Sequence, residues 1–262
     1  MKTNFLLISV FVLISNGIHG QKTDPSSEHH KTYSFNLQIG QNQIKEKELL
    51  PLVHKGMITD FSFETEKVKS SMRKFQFLFT YSRLKTGLEE MAKSGNIRFG
   101  FNYSYNFLIF QKNNFRYFMG PRTSLCYSYM LYPNWDDSHG YWADVWSIGP
   151  ENIFSFSLRH ESEWFTSLSF PLFSVFSRPE AIRPFKMDDS SFNGILKALH
   201  SNIEPGFMDK MLEINFKTEY RFQVFVTKRE AITFNMDVLH ISGKGGKPVF
   251  QIVNMFGIKI ML

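Results

Sequence analysis

The chain has 262 residues, a formal net charge of +6 and 21% charged residues, with Phe 29, Tyr 10 and Trp 4 making it 16% aromatic. Mean hydropathy is −0.22, and no apolar run of about 20 residues follows the first twenty, which excludes a helical membrane protein. The large apolar side chains exclude a disordered chain, and Cys 1 excludes a disulfide framework or a cysteine zinc cluster.

Residues 1–20 have the layout of a secretory signal peptide: Lys2, an apolar stretch from Phe5 to Ile14, then a small and polar segment ending at Gly20. Residues 21–31 form a flexible lead-in, in which His29 and His30 are adjacent and face opposite ways in an extended chain. A metal site is not expected there. No basic run stands out, so a nucleic-acid partner is not expected.

From residue 32 onward the dominant signal is a period of two. In 97–109, Ile97, Phe99, Phe101, Tyr103, Tyr105, Phe107 and Ile109 alternate with Arg98, Gly100, Asn102, Ser104, Asn106 and Leu108. The same alternation runs through 115–131, 212–226 and 250–262. Weaker versions occupy 32–40, 58–66, 73–82, 152–159, 164–177 and 230–241. The count is ten strands, each with one apolar and one polar face.

A soluble sandwich or barrel also alternates. Three features favour the membrane. The strands exceed the ~5–6 residues usual in soluble sheets and suit the ~9–11 of a tilted membrane strand. Tyr81, Tyr127, Tyr129, Tyr132, Trp164 and Tyr220 sit near strand ends, as interfacial girdles do. Connections alternate between tight (67–72, 111–114, 160–163, 228–229) and longer (41–57, 83–96, 133–151, 178–210, 243–248), placing every tight link on the side of the termini. The expected fold is an all-β antiparallel transmembrane β-barrel of about ten strands (8–12) spanning 32–262.

On this pattern the chain resembles outer-membrane β-barrel proteins of Gram-negative bacteria, and its Phe/Tyr-rich strands after a short signal look most like those of the Bacteroidota. The resemblance covers 32–262 as architecture and identifies no functional family. It implies export to the outer membrane, with outer-membrane lipid and lipopolysaccharide as surroundings. Such barrels usually end on an aromatic residue; here the last is Leu262, with Phe256 and Phe250 in the same phase.

A barrel of this size is expected to be filled by side chains. Glu213, Lys217, Glu219 and Arg221 share the polar face of one strand and are candidates for a lumen charge network. The longest loops are candidates for a protein partner or surface ligand: 132–150, through Trp135, Tyr141, Trp142 and Trp146 beside Asp136, Asp137 and Asp144, and 178–210. In the latter, Ser190 or Ser191 would cap a short helix with Phe192, Ile195, Leu196 and Leu199 as its apolar stripe, and Pro205-Gly206 would end it. Such aromatic residues also serve to staple a loop to the rim. A hydrolase would need nucleophile, base and orienting acid brought together, from Asp136, Asp137, Ser138 and His139 with Asp188, Asp189, Ser190 and His200. No family motif marks them, and His160 and His240 read as interfacial. SGKGGKP (242–248) lacks P-loop spacing. The expected function is a non-enzymatic structural or accessory barrel with binding loops and no cofactor or metal. The alternatives are transport of a small solute or hydrophobic ligand, and an outer-membrane lipid or peptide hydrolase.

Overall fold

The structure is a computed structural model and describes residues 30–46, 53–86, 93–131, 140–158, 162–178, 203–225, 228–242 and 248–262. The strands are β1 (His30–Glu46), β2 (Val53–Val68), β3 (Ser71–Lys85), β4 (Ser94–Lys112), β5 (Phe115–Leu131), β6 (Gly140–Ser157), β7 (Glu163–Ser169), β8 (Phe173–Ser177), β9 (Ile203–Phe207), β10 (Met211–Phe225), β11 (Lys228–Ile241) and β12 (Val249–Met261). All pairings are antiparallel. Ten strands close into a ring in the order β5-β4-β3-β2-β1-β12-β11-β10-β7-β6, with β6 returning to β5. β8 and β9 extend the wall beside β6.

The expected ten-strand barrel is therefore the observed one. The expected strand 164–177 is β7 followed by β8, both lying on β6. Glu151 pairs with Ser169 while Ile148 pairs with Phe173, so the register slips by one residue across Phe170–Leu172. On the other side Asn215 pairs with Ser169 but Phe207 pairs with Phe173. The chain thus bulges out at Met208–Lys210 between β9 and β10. Pro205 is tolerated in β9 because an edge strand has one side free of ladder bonds.

The facing ends of β2 and β3, β4 and β5, β6 and β7, and β10 and β11 lie at the end of the barrel where β1 starts and β12 stops, called here the turn end; Tyr33 and Leu262 exchange backbone hydrogen bonds there. Asn113 adopts φ 50° in the two-residue β4–β5 turn, a left-handed conformation that asparagine tolerates. The opposite, loop end is where β1 stops and β2 starts, and likewise β3 and β4, β5 and β6, β8 and β9, and β11 and β12. At the β1–β12 seam the strands approach so closely that a Cβ on Gly40 would lie 1.8 Å from the Asn254 carbonyl oxygen, and one on Gly257 would lie 2.1 Å from that of Leu37.

Outward positions carry the aromatic excess. Phe35 pairs with Phe63, Phe63 with Phe77, and Phe77 with Phe101 in one rung, with ring centroids 5.2 Å apart for Phe35–Phe63 and for Phe77–Phe101. Trp164 and Tyr220 stand 6.2 Å apart near the turn end. Trp146, Phe173 and Phe207 form an edge-to-face series near the loop end. In water these rings would be a liability; against lipid they are the favoured surface.

One expectation is corrected. The loop expected over 132–150 is not one from residue 140 onward, because β6 begins at Gly140. Trp142, Ala143, Asp144 and Val145 are all buried, and a strand covered on both faces shows no alternation. Likewise the loop expected over 178–210 gives up 203–207 to β9.

Candidate functional site in the barrel interior

Even positions of β1–β5 and odd positions of β6, β7 and β10–β12 point inward, and that face is where polar chemistry collects. At the turn end, Met72, Phe118, Ile153 and Phe165 form an apolar cluster, flanked by Val68 and Leu108. At the loop end, Ile44, Leu84, Met130, Phe176, Met211 and Ile241 belong to a second one. Ile58, Val253 and Met255 form a third between them. Apolar side chains thus occupy the lumen near both ends.

Next to the turn-end cluster lies a network of buried charges. Glu219 is 0% exposed and Lys259 1%. Lys259 Nζ lies 2.7 Å from Glu64 and 3.0 Å from Glu219, and Lys217 Nζ 2.9 Å from Glu64 and 2.7 Å from Glu219. Arg221 donates Nε to Glu219 at 2.8 Å and both terminal nitrogens to Glu66 at 3.0 Å. It also approaches Glu163 at 3.6 Å, which Arg116 reaches at 2.8 Å. The Phe165 ring is flanked by two cations, Lys74 at 4.1 Å and Arg221 at 4.2 Å. Each ion removed from water loses several kcal/mol of hydration, which only multiple close partners offset; these carboxylates have them.

Above this network is a cavity of about 80 Å³, lined by Asp60, Glu64, Glu151, Glu213 and Asp237 and by Lys74, Arg98, Arg122 and Lys217, among neutral polar and apolar side chains. Arg98 reaches Glu213 and Asp237 at 3.8 Å each and donates Nε to Cys126 Sγ at 2.8 Å.

Glu213, Lys217, Glu219 and Arg221 all lie on the inward face of β10, and Lys217, Glu219 and Arg221 meet in the network while Glu213 faces Arg98. Their partners Glu64, Glu66 and Lys259 were not singled out from the sequence. The signal was available: Glu64 and Glu66 share the phase of Asp60 and Ser62, and Lys259 stands between Ile258 and Ile260.

The aromatic loop candidates separate. Trp142 is 1% exposed, a packed residue of β6. Trp146 is 44% exposed on the outward face, its Nε1 donating to Thr123 Oγ1 at 2.9 Å. Tyr141 belongs to β6 by its backbone. Trp135, Asp136, Asp137, Ser138, His139, His160, Asp188, Asp189, Ser190, His200 and the expected helix after Ser190 lie outside the described residues. Among the described residues no group of three or more His, Cys, Asp or Glu side chains is arranged to hold a metal.

No family model and no curated protein matches the sequence. Among solved structures, the chain is similar to the outer membrane protease OmpT from Escherichia coli, with a TM-score of 0.51 at 8% identity over 92% of this chain and 99% of that one. Two others superpose less closely. The translocator domain of autotransporter NalP from Neisseria meningitidis gives a TM-score of 0.39 at 7% identity over 98% of this chain and 95% of that one. Neisserial surface protein A gives 0.30 at 12% identity over 86% and 96%. Identities this low speak to fold alone. The likeness to OmpT joins a closed ten-stranded wall whose aromatic face is turned outward and whose charges are turned in, and the chain accordingly has the fold of the outer-membrane β-barrels.

Proposed function

We propose that the protein is a non-conducting, non-enzymatic barrel of the Gram-negative outer membrane, a structural or accessory scaffold that presents its loop end to a partner or surface ligand. The N-terminal twenty residues direct its export. The carrying observation is the filled lumen. Arg221 and Lys217 on β10 reach Glu66 and Glu64 on β2, with three strands of the ring, β1, β12 and β11, between them, and apolar clusters lie toward each end. A path for solute would have to break both. In this reading the partner contacts come from the chain between β5 and β6, which includes Trp135, and from the chain between β8 and β9.

The test is planar-bilayer recording on the purified, folded protein. No steady conductance is expected; several hundred picosiemens would overturn the closed-lumen reading. Hydrolysis of lipid or peptide that disappears in His139→Ala or His200→Ala would overturn the non-enzymatic reading.

A further inference from the structure

The central cavity has a composition that side-chain packing alone does not explain. A buried water needs on the order of 10–15 Å³ in the same measure, so about 80 Å³ admits several waters or a partly hydrated ion. Two buried oxygens in its lining have no protein hydrogen-bond partner, Thr80 Oγ1 and Asn235 Oδ1. Thr80 is 3% exposed. The orientation of Asn235 is set by a chain of bonds. Its Nδ2 donates to Gln38 Oε1 at 2.7 Å, Gln38 Nε2 donates to Thr233 Oγ1 at 2.8 Å, and Thr233 donates to Asn36 Oδ1 at 3.3 Å. With its amide nitrogen engaged, Asn235 turns its oxygen to the cavity.

Two carboxylates flank these oxygens. Asp60 is the register partner of Thr80 across β2–β3, and Asp237 follows Asn235 by two residues on the same face of β11. Charge is not balanced there. Arg98 is one cation between Glu213 and Asp237, and Lys217 is held by Glu64 and Glu219. Asp60 has Ser62 as a side-chain hydrogen-bond partner but no ion pair within 4.0 Å among the described residues. Over the cavity lining as a whole, carboxylates outnumber cations by one.

Carboxylate, amide carbonyl and hydroxyl oxygens are hard ligands that suit alkali and alkaline-earth ions. A single surplus negative charge favours a monovalent ion over a divalent one, since a divalent ion would leave a net buried positive charge uncompensated. We propose that the lumen holds one alkali cation, coordinated by the carboxylates of Asp60 and Asp237, the amide oxygen of Asn235 and the hydroxyl of Thr80. The ion completes the interior charge balance and ties β2 and β3 to β11 across the barrel. With apolar clusters toward both ends, it is captured as the barrel folds.

The experiment is to refold the full chain in rubidium, potassium, sodium, magnesium or calcium chloride, and in N-methyl-D-glucamine chloride at equal ionic strength and pH. Thermal midpoints are then compared, and crystals grown in rubidium are examined for anomalous scattering. A saturable rise in midpoint with alkali cation and an anomalous peak beside Asp60 are expected, and both should vanish in Asp60→Asn. Should that variant fail to fold, Thr80→Val is expected to need about tenfold more cation for the same rise. Equal midpoints in rubidium and N-methyl-D-glucamine with no peak would overturn the proposal, leaving a proton on Asp60 as the balancing charge. A rise seen with magnesium or calcium alone would overturn it as well.

Discussion

Arg221 grips Glu66 with two parallel hydrogen bonds, both 3.0 Å, that cross the lumen from β10 to β2. A planar guanidinium matches a carboxylate in this way, whereas an ammonium group offers only a point charge. The fork therefore fixes a distance between two wall segments that share no backbone hydrogen bonds.

Breaking the fork should be costly. Arg221→Met leaves Glu66 and Glu219 short of a cation in a buried setting, and removing one partner of such a pair typically costs about 3–5 kcal/mol. Arg221→Lys keeps the charge and loses the bidentate geometry, so it should fall between wild type and Arg221→Met. Urea unfolding in lipid vesicles, followed by tryptophan fluorescence, measures the order. Equal stability of all three proteins would show that the fork contributes nothing.

Lys259 is the other keystone, because one ammonium contacts both Glu64 and Glu219. Lys259→Met is expected to destabilise the barrel by a similar ~3–5 kcal/mol. Adding Glu64→Gln should recover part of that loss, since it removes one of the stranded charges. A double-mutant cycle on the unfolding midpoint reads the coupling, and strict additivity would contradict the observed contacts.

How much of this was legible beforehand follows from the physics of each segment. Where one face meets lipid and the other a polar lumen, as in 97–109, alternation marks both the strand and the orientation of every side chain. Where both faces are covered, as at Trp142–Val145, the chain alternates nothing, and Asp144, Gly149 and Pro150 read as loop chemistry although they lie within β6. Cross-lumen partners were harder for another reason. Parity states that Glu66 and Arg221 both face inward, but whether they meet depends on the strand order around the ring and on register. Neither is written in local pattern. The short strand β9, five residues beyond a long connection, carries too few alternations to be seen at all.

The seam between the first and last barrel strands offers a test of closure. Gly40 and Gly257 sit where β1 and β12 come so close that a Cβ would meet backbone carbonyl oxygen or the Gln38 side chain. Backbone cannot retreat as a flexible side chain can, so Gly40→Val and Gly257→Val should slow or prevent closure. The measurement is the fraction of heat-modifiable folded species on an unheated gel after refolding into vesicles. The expected result is a marked loss for both variants, with Gly95→Val as the control, because its added Cβ would have only Tyr81 at 3.9 Å within reach.

Cys126 reports on the lumen. Its sulfur accepts from Arg98 Nε at 2.8 Å and lines the central cavity, with apolar clusters toward either end. A hydrophilic maleimide should label it roughly a hundredfold more slowly in the folded barrel than in urea, since reaction must await local opening. Fast labelling of the folded protein would indicate a water-filled path through the lumen.

Tryptophan fluorescence can locate the lipid-facing band. Single-tryptophan variants retaining Trp164 or Trp146 place a reporter on the outward face near the turn end and near the loop end, each 44–45% exposed. Trp164 donates its Nε1 to Thr166 at 3.1 Å and Trp146 donates to Thr123 at 2.9 Å, so both rings lie against the wall with their N–H groups satisfied and their faces open to acyl chains. Lipids brominated along the chain should quench both, each most strongly by bromines near its own interface. Trp142, although its register partner on β5 is the outward residue Tyr129, is buried and should be quenched several-fold less. Strong quenching of Trp142 would place the upper part of β6 against lipid and contradict its packing.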